Sequence, residues 1–329
     1  MKRSHFNSAI VGCGRIAGIK DAPKDNGHIG THAQAYYRNK KFKLVVAVNP
    51  HQEKIETFKK VWGITKGYTS LTKLLDHEVL DVISLCTPSE FHATQIKEIL
   101  ESKNKPSVVL AEKPVCMKRE EFDHLVMLEK NSNCIVIVNH TRRFDPGHLR
   151  LKQFVEQNEL GKFLQGRCEY YGGWFNNGSH MVDTLRMLFN EEPVIESVQL
   201  GQNGRIKDNC INIQLLIGNS YVDIVSFDES YYQVFEMELR FEEGRILVKD
   251  FGSDIIIEKV KTNDIGERVL VSHTESPLKG LDSPLYHAVS IIAEYLEQRK
   301  SLEGRGVLLN EVYGTMDILW KAVDSIRGN

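Results

Sequence analysis

The sequence predicts two architectures in succession. Residues 1–145 read as an α/β domain with a doubly wound parallel sheet, and residues 146–329 as an α+β domain with an open, largely antiparallel sheet. Three observations carry this. Roughly the first 140 residues alternate short, continuous apolar runs with helical patterns, as parallel strands covered on both faces do. A glycine turn follows the first apolar run directly. Beyond Pro146 the runs give way to period-two alternation, the mark of a sheet with one packed face.

The buried strands are SAIVG (Ser8–Gly12), KLVVAV (Lys43–Val48), DVISLC (Asp81–Cys86), SVVLAE (Ser107–Glu112) and CIVIVN (Cys134–Asn139), rich in Val and Ile. Helical stretches separate them, so the order is a βαβ series. In AIVGCGRIAG, Gly12-x-Gly14-x-x-Ala17 stands between the first strand and a helical run. Gly12 permits the tight turn, Gly14 lets a pyrophosphate approach the backbone, and Ala17 lets helix and strand pack closely. A dinucleotide is the expected ligand; a purely structural turn is what the string alone leaves open. The acidic residue expected after the second strand is replaced by Asn49, which keeps hydrogen bonding but drops the charge. No arginine follows closely to clamp a 2′-phosphate, so the reading is NAD, with NADP left open. GIKDAPKDNGHIG, between the helix start and THAQAYYR, reads as a polar surface insertion.

In CTPSEFH (Cys86–His92), Thr87 is placed to cap a helix, Pro88 to open it and Glu90 to complete a capping box. That sets a helix N-terminus at the C-terminal sheet edge, where such folds bind ligands. AEKPVC (Ala111–Cys116) puts Lys113 at the same edge, although an exposed lysine before a turn fits the position equally.

The second half contains INIQLLIGNSYVDIV, two strand-like runs around a Gly-Asn turn. In VFEMELRFEEGRILV, Phe235, Met237, Leu239 and Phe241 alternate with Glu236, Glu238 and Arg240. Ser283 as N-cap and Pro284 at the first position open a C-terminal helix. The domain boundary falls at NHTRRFDPG.

Composition excludes several classes. The chain has 329 residues and a formal net charge of −2, which gives no reason to expect nucleic acid or an anionic membrane as partner. No apolar run approaches the ~20 residues of a membrane span. The start carries basic Lys2 and Arg3 but soon meets the glycine turn, unlike a signal peptide, so a cytoplasmic location is expected. The six cysteines (Cys13, Cys86, Cys116, Cys134, Cys168, Cys210) form no Cys-x-x-Cys pair and read as reduced, buried thiols, with no metal site expected.

GGWFNNGSHMVD (Gly172–Asp183) leads into a helix with Val182, Leu185, Leu188 and Phe189 on one face and Ser179 or Asn177 as cap. His180 falls in its first turn, with Asp183 and Thr184 on the same side. Asp183 is placed to accept an imidazole N–H, fixing the tautomer of a general base. A helix-start histidine bonded to Asp183 for structure alone is the alternative.

GCGRIA, CTPSEFH, AEKP, RRFDP (Arg142–Pro146) and the glycine–histidine stretch occur in one order across essentially the whole chain. In that order the chain resembles the Gfo/Idh/MocA oxidoreductases, named for glucose–fructose oxidoreductase and inositol dehydrogenase. The resemblance implies a Rossmann domain, then an open-sheet domain that commonly forms subunit contacts, hence a homo-oligomer (dimer or tetramer). It implies hydride exchange between a nicotinamide and a sugar, cyclitol or related polyol carbon. Lys113 and His180, with Asp183, take the catalytic positions. Gly12, Gly14, Arg15, Ile16, Asn49, Thr87, Pro88, His92, Glu112 and Lys113 fall to the cofactor, and Lys113–Pro114 is a bond often cis in this motif.

The family pattern Asp-x-Gly-x-His, with a further Asp three residues on, is matched by Gly178, His180 and Asp183, while Asn176 departs from it. Asn176 cannot act as a base, but its amide suits a substrate hydroxyl. Asn here is familiar from members acting on nucleotide-linked aminosugar acids. The approach from GRCEYYGG to His180 is shorter than usual, so Tyr170, Tyr171 and Trp174 either line an altered substrate pocket or pack the domain junction. Arg142 and Arg143 either meet an anionic substrate group or tie the domains together. Two other functions stay open: a non-catalytic dinucleotide-binding regulator, and an imine or enone reductase with His180 as acid.

Overall fold

The computed structural model describes residues 5–25, 27–201, 210–273 and 278–327. The basic Lys2–Arg3 start and Asn26 of the polar insertion lie outside them. Two compact units emerge: residues 1–144 with 283–312, and residues 145–282 with 313–329.

The first unit runs β1 (Phe6–Val11), α1 (His32–Arg38), β2 (Phe42–Val48), α2 (Gln52–Trp62), β3 (Lys66–Tyr68), α3 (Leu71–His77), β4 (Val82–Leu85), α4 (His92–Glu101), β5 (Val108–Ala111), α5 (Arg119–Lys130) and β6 (Ile135–Val138). The strands form one parallel sheet in the order β3-β2-β1-β4-β5-β6. β4 and β5 are buried at every position, which is why they read as unbroken apolar runs. The edge strand β3 is absent from the sequence reading. Its three residues form no apolar run, and Gly67 belongs there because a Cβ would lie 2.3 Å from the Ile55 side chain of α2.

The expected contiguous second domain differs from what is seen, because residues 283–312 return to the first unit. On α8 (Pro284–Gln298), Leu285, Ala288, Val289 and Ile292 share one core with Ile10, Phe42, Val108 and Leu110. Downstream, the Val138 amide donates to Val307 O (2.9 Å) and the Leu309 amide to Val136 O (3.2 Å), covering the edge of β6. Periodicity marks α8 as amphipathic but is silent on which core it covers. Ser283 also departs from expectation. It sits at φ +56° with no side-chain bond to its own helix, and its Oγ accepts the Ile29 amide at 3.1 Å.

The second unit holds α6 (Pro146–Glu156), β7 (Phe163–Tyr170), α7 (Ser179–Phe189), β8 (Val194–Leu200), β9 (Ile211–Ile217), β10 (Ser220–Ser226), β11 (Phe235–Phe241), β12 (Gly244–Lys249), β13 (Asp254–Thr262), β14 (Arg268–Ser272), the two-residue β15 (Leu278–Lys279) and α9 (Tyr313–Arg327). Its sheet runs β14-β13-β12-β11-β7-β10-β9-β8, with β15 on β13. Only the β7–β10 pair is parallel among the described strands. The alternation read from sequence is the packing pattern of β11: Phe235, Met237, Leu239 and Phe241 are buried, Glu236 and Arg240 exposed.

Candidate active site

On the first unit the glycine turn follows β1 at the point where β2 and β4 lie on either side of it, the switch point of a doubly wound sheet. Gly12 has φ +92°, and a Cβ there would stand 2.7 Å from the Cys86 carbonyl carbon and oxygen and 2.8 Å from the Thr87 nitrogen. Backbone occupies the space, so nothing yields. At Gly14 a Cβ would meet only Cys86 O, at 3.9 Å, which leaves that face open to a ligand. Gly12→Ala is expected to destabilise the fold by about 3 kcal/mol, from strain and overlap together, and to abolish coenzyme binding. A urea midpoint and NADH titration equal to the parent's would refute the steric assignment.

The helix expected straight after the turn is interrupted. Residues 15–20 are turns, closed by Gly18 and Ile19 amides on Gly14 O (both 3.2 Å). After the insertion, α1 takes up that thread: the His32 amide donates to Ile16 O and the Ala33 amide to Ala17 O, both at 3.1 Å. The polar insertion is thus spliced into the helix start, held by Thr31 Oγ1 donating to Asp21 (2.8 Å). Arg15 and Ile16 are exposed on this turn.

A cleft of about 550 Å³ opens here. Gly12, Gly14, Asn49, Thr87 and Pro88 line it, as the sequence suggested, together with Lys54, Phe91 and Gln95, which it did not. Arg15, Ile16, His92, Glu112 and Lys113 stand outside its described lining. Thr87 is no helix cap: its hydroxyl donates to Gln95 Oε1 (2.6 Å), and neither the Ser89–Phe91 3₁₀ turn nor α4 has a side-chain cap, so the predicted capping box does not form.

His92 and Glu112 serve the chain itself. His92, buried, places Nδ1 2.7 Å from Pro114 O and Nε2 2.8 Å from Thr87 O, joining the two loops. Glu112 Oε1 lies 2.8 Å from His32 Nε2 and accepts Asn139 Nδ2 at 2.7 Å. His32 Nδ1 faces Ser84 Oγ (3.1 Å), which also meets the Tyr36 hydroxyl (2.7 Å). Burial pushes the Glu112 carboxyl up, but His32, Asn139 and Lys113 outweigh it and hold the group below the usual carboxylate range. A fixed anion therefore precedes Lys113, which is half-buried just beyond β5 in a cis Lys113–Pro114 bond. His32 and Asn139 carry no local sequence signal, since they reach Glu112 only through the sheet. Arg143 is buried, its guanidinium packed on Gly306 and reaching Arg305 O (3.4 Å). It anchors the returning segment of the first unit, not an open anion site.

On the second unit, Gly172 (φ +80°) and Gly173 (φ +88°) lead into a π-helical turn over Trp174–Gly178 that runs directly into α7. Neither Ser179 nor Asn177 caps the helix; Ser179 Oγ donates to Asn176 O (2.8 Å) inside that turn. Such turns recur at functional sites. Trp174 is corrected from substrate contact to core: it is fully buried, with Nε1 donating to Leu319 O (3.1 Å). Tyr170 is equally buried and bonds the backbone of Ile211. Asn176 is exposed, and His180, one turn on, is half-buried with its ring edge-on to Phe235 (6.4 Å). Asp183 is buried and accepts Thr315 Oγ1 (3.0 Å), with Arg186 4.0 Å away, so it ties α7 to α9.

Among the described residues no three His, Cys, Asp or Glu side chains gather to hold a metal, and no helix is long and apolar enough to cross a membrane. All six cysteines are buried, and none is joined in a disulfide.

Sheet order and glycine turn together define a dinucleotide-binding α/β protein. The model for the oxidoreductase family with an NAD-binding Rossmann fold matches residues 6–140. The myo-inositol 2-dehydrogenase of Thermotoga maritima is 22% identical over 333 residues, spanning 88% of this chain and 98% of that protein. Two solved structures share the fold. One is myo-inositol 2-dehydrogenase from Lactobacillus plantarum (TM-score 0.75, 17% identity, 98% of this chain and 97% of that one). The other is the WlbA dehydrogenase of Chromobacterium violaceum with NADH and UDP-GlcNAcA (TM-score 0.74, 17% identity, 100% and 95%). Residues 6–140 thus match the Gfo/Idh/MocA oxidoreductase family, and the protein is an NAD(P)-dependent oxidoreductase.

Proposed function

We propose that the protein moves a hydride between a nicotinamide and a carbinol carbon of a sugar, cyclitol or nucleotide-linked sugar. The observation that carries this is the placement of Lys113: half-buried, two residues past the end of β5 in the coenzyme-binding sheet, behind an anchored carboxylate. The relatives' names, inositol dehydrogenases among them, supply the substrate class. The bound nicotinamide supplies the hydride acceptor or donor.

The protein's part is proton and charge handling. As a carbinol becomes a carbonyl, its hydroxyl proton must leave, and a neutral imidazole suits that task near pH 7. His180 takes the proton, and Lys113 donates a hydrogen bond to the reacting oxygen as negative charge develops there. Asp183 acts through position, holding α7 on α9. Asn176, exposed one turn before His180, is a neutral contact for a neighbouring hydroxyl.

The test is a screen of free and nucleotide-linked sugars and cyclitols with NAD⁺ and NADP⁺, followed by nicotinamide absorbance. Turnover with at least one member is expected. Tight coenzyme binding with no turnover across the panel would instead favour a regulator. Against the substrate found, Asn176→Asp is expected to change relative kcat/KM among panel members about tenfold, the worth of one hydrogen bond to a charged group. An unchanged ranking would remove Asn176 from substrate selection.

A further inference from the structure

The adenosine end of the cleft carries donors and a cation where a site selecting NAD carries an anion. Asn49, at the end of β2, is 8% exposed and lines the cleft. Its Oδ1 is already committed, accepting the His51 amide at 3.0 Å, while its Nδ2 has no partner among the described residues. What Asn49 can offer a ribose is thus an N–H donor, not the acceptor pair by which a carboxylate grips two hydroxyls.

Lys54, on the first turn of α2, also lines the cleft, and its ammonium makes no ion pair or hydrogen bond among the described residues. Its position is marked by Cys13 of the glycine turn: burial pushes that thiol up to about 12, and Lys54 is near enough to pull against the rise. α2 starts at this wall without a side-chain cap, so the positive end of its dipole adds to the lysine. His51 beside it has Nδ1 3.7 Å from Glu53, which offsets any charge it carries. No Asp or Glu is among the described lining residues.

We infer that this end of the cleft binds a 2′-phosphate through Lys54 and Asn49 Nδ2, so that the chain takes NADP(H) in preference to NAD(H). The inference rests on the dinucleotide reading of the cleft and takes the NADP alternative that the sequence left open. The cation here is Lys54, five residues after Asn49, where no arginine follows closely. A phosphate monoester carries oxygens that only accept and nearly two negative charges, which match an unpaired amide donor and an unpaired ammonium. Lysine binds it as a point charge, without arginine's planar geometry.

Calorimetric titration of the full chain with 2′,5′-ADP and with 5′-AMP isolates the phosphate without asking for turnover. The 2′-phosphorylated fragment is expected to bind about tenfold tighter or better, as a charge-assisted contact allows, and the gap should shrink with added salt. Lys54→Ala, at an exposed position that does not endanger folding, should bring the two fragments within about threefold. Asn49→Asp should invert the preference. Fluorescence titration with NADPH and NADH should follow the same order. Equal or tighter binding of 5′-AMP by the parent, no saturable binding of either fragment, or an undiminished preference in Lys54→Ala overturns the inference. Tight NADH binding in any of those cases leaves the oxidoreductase standing; failure of both coenzymes to bind removes both.

Discussion

Replacing His180 by Ala should lower kcat by about 10²–10⁴, the range that a positioned general base contributes, while leaving NADH and NADPH affinity within a few-fold. The structure makes this a clean substitution. His180 lies half-buried at the start of α7, with Phe235 edge-on; α7 is fastened by Asp183 to Thr315, and the turn leading into it by Trp174 to Leu319. The helix should therefore survive, and thermal stability should fall by no more than about 1 kcal/mol. Added imidazole should restore part of the lost rate, which a merely structural histidine would not allow. In the oxidative direction the parent's kcat should fall toward acid pH, where the ring is already protonated, and this limb should vanish in the variant. A kcat within threefold of the parent, or an unchanged acid limb, would assign the base elsewhere.

What the sequence showed of this protein follows a physical division. Short-range patterns were legible: the buried strands β1, β2, β4, β5 and β6, the alternation in β11, and a glycine turn that only Gly12 can make. Each depends on burial or backbone geometry that neighbouring residues report. Features built by distant chain segments were not legible. His32 and Asn139 converge on Glu112 through the sheet, α8 crosses back to the first core, and Ser283 caps Ile29 rather than its own helix.

Helix starts misled for a related reason. Thr87 and Ser179 carry hydroxyls suited to capping, yet Gln95 and the Asn176 carbonyl claim them. A capping residue declares what it can bond, and tertiary structure decides what it does bond. The same competition separates Asn49 from an aspartate: its oxygen is taken by the His51 amide, so the amide nitrogen is what remains for the ligand.

Lys113→Ala should cost about 10²–10³ in kcat/KM, the usual loss when a donor aimed at developing oxyanion charge is removed. Lys113→Met keeps the stem and most of the volume and should lose nearly as much, because the ammonium is the active part. Lys113→Arg should recover little, since a guanidinium is broader and its donors are fixed in a fork. The side chain also sits beside Glu112, whose carboxyl it helps to hold below the ordinary range. That contribution is dispensable for folding: His32 at 2.8 Å and Asn139 at 2.7 Å still hold the carboxylate in any of the variants. Urea midpoints should therefore stay close to the parent's while turnover collapses. That split distinguishes a group acting on substrate from one that only supports the loop, for which stability and rate would fall together. The loop has its own support in His92, which spans Pro114 O and Thr87 O. His92→Ala supplies the contrast: it should lower the midpoint and kcat in parallel, with thermal loss preceding rate loss on warming. If Lys113→Met instead retains kcat/KM within threefold, the lysine is a neutralising neighbour of Glu112 and the oxyanion role falls.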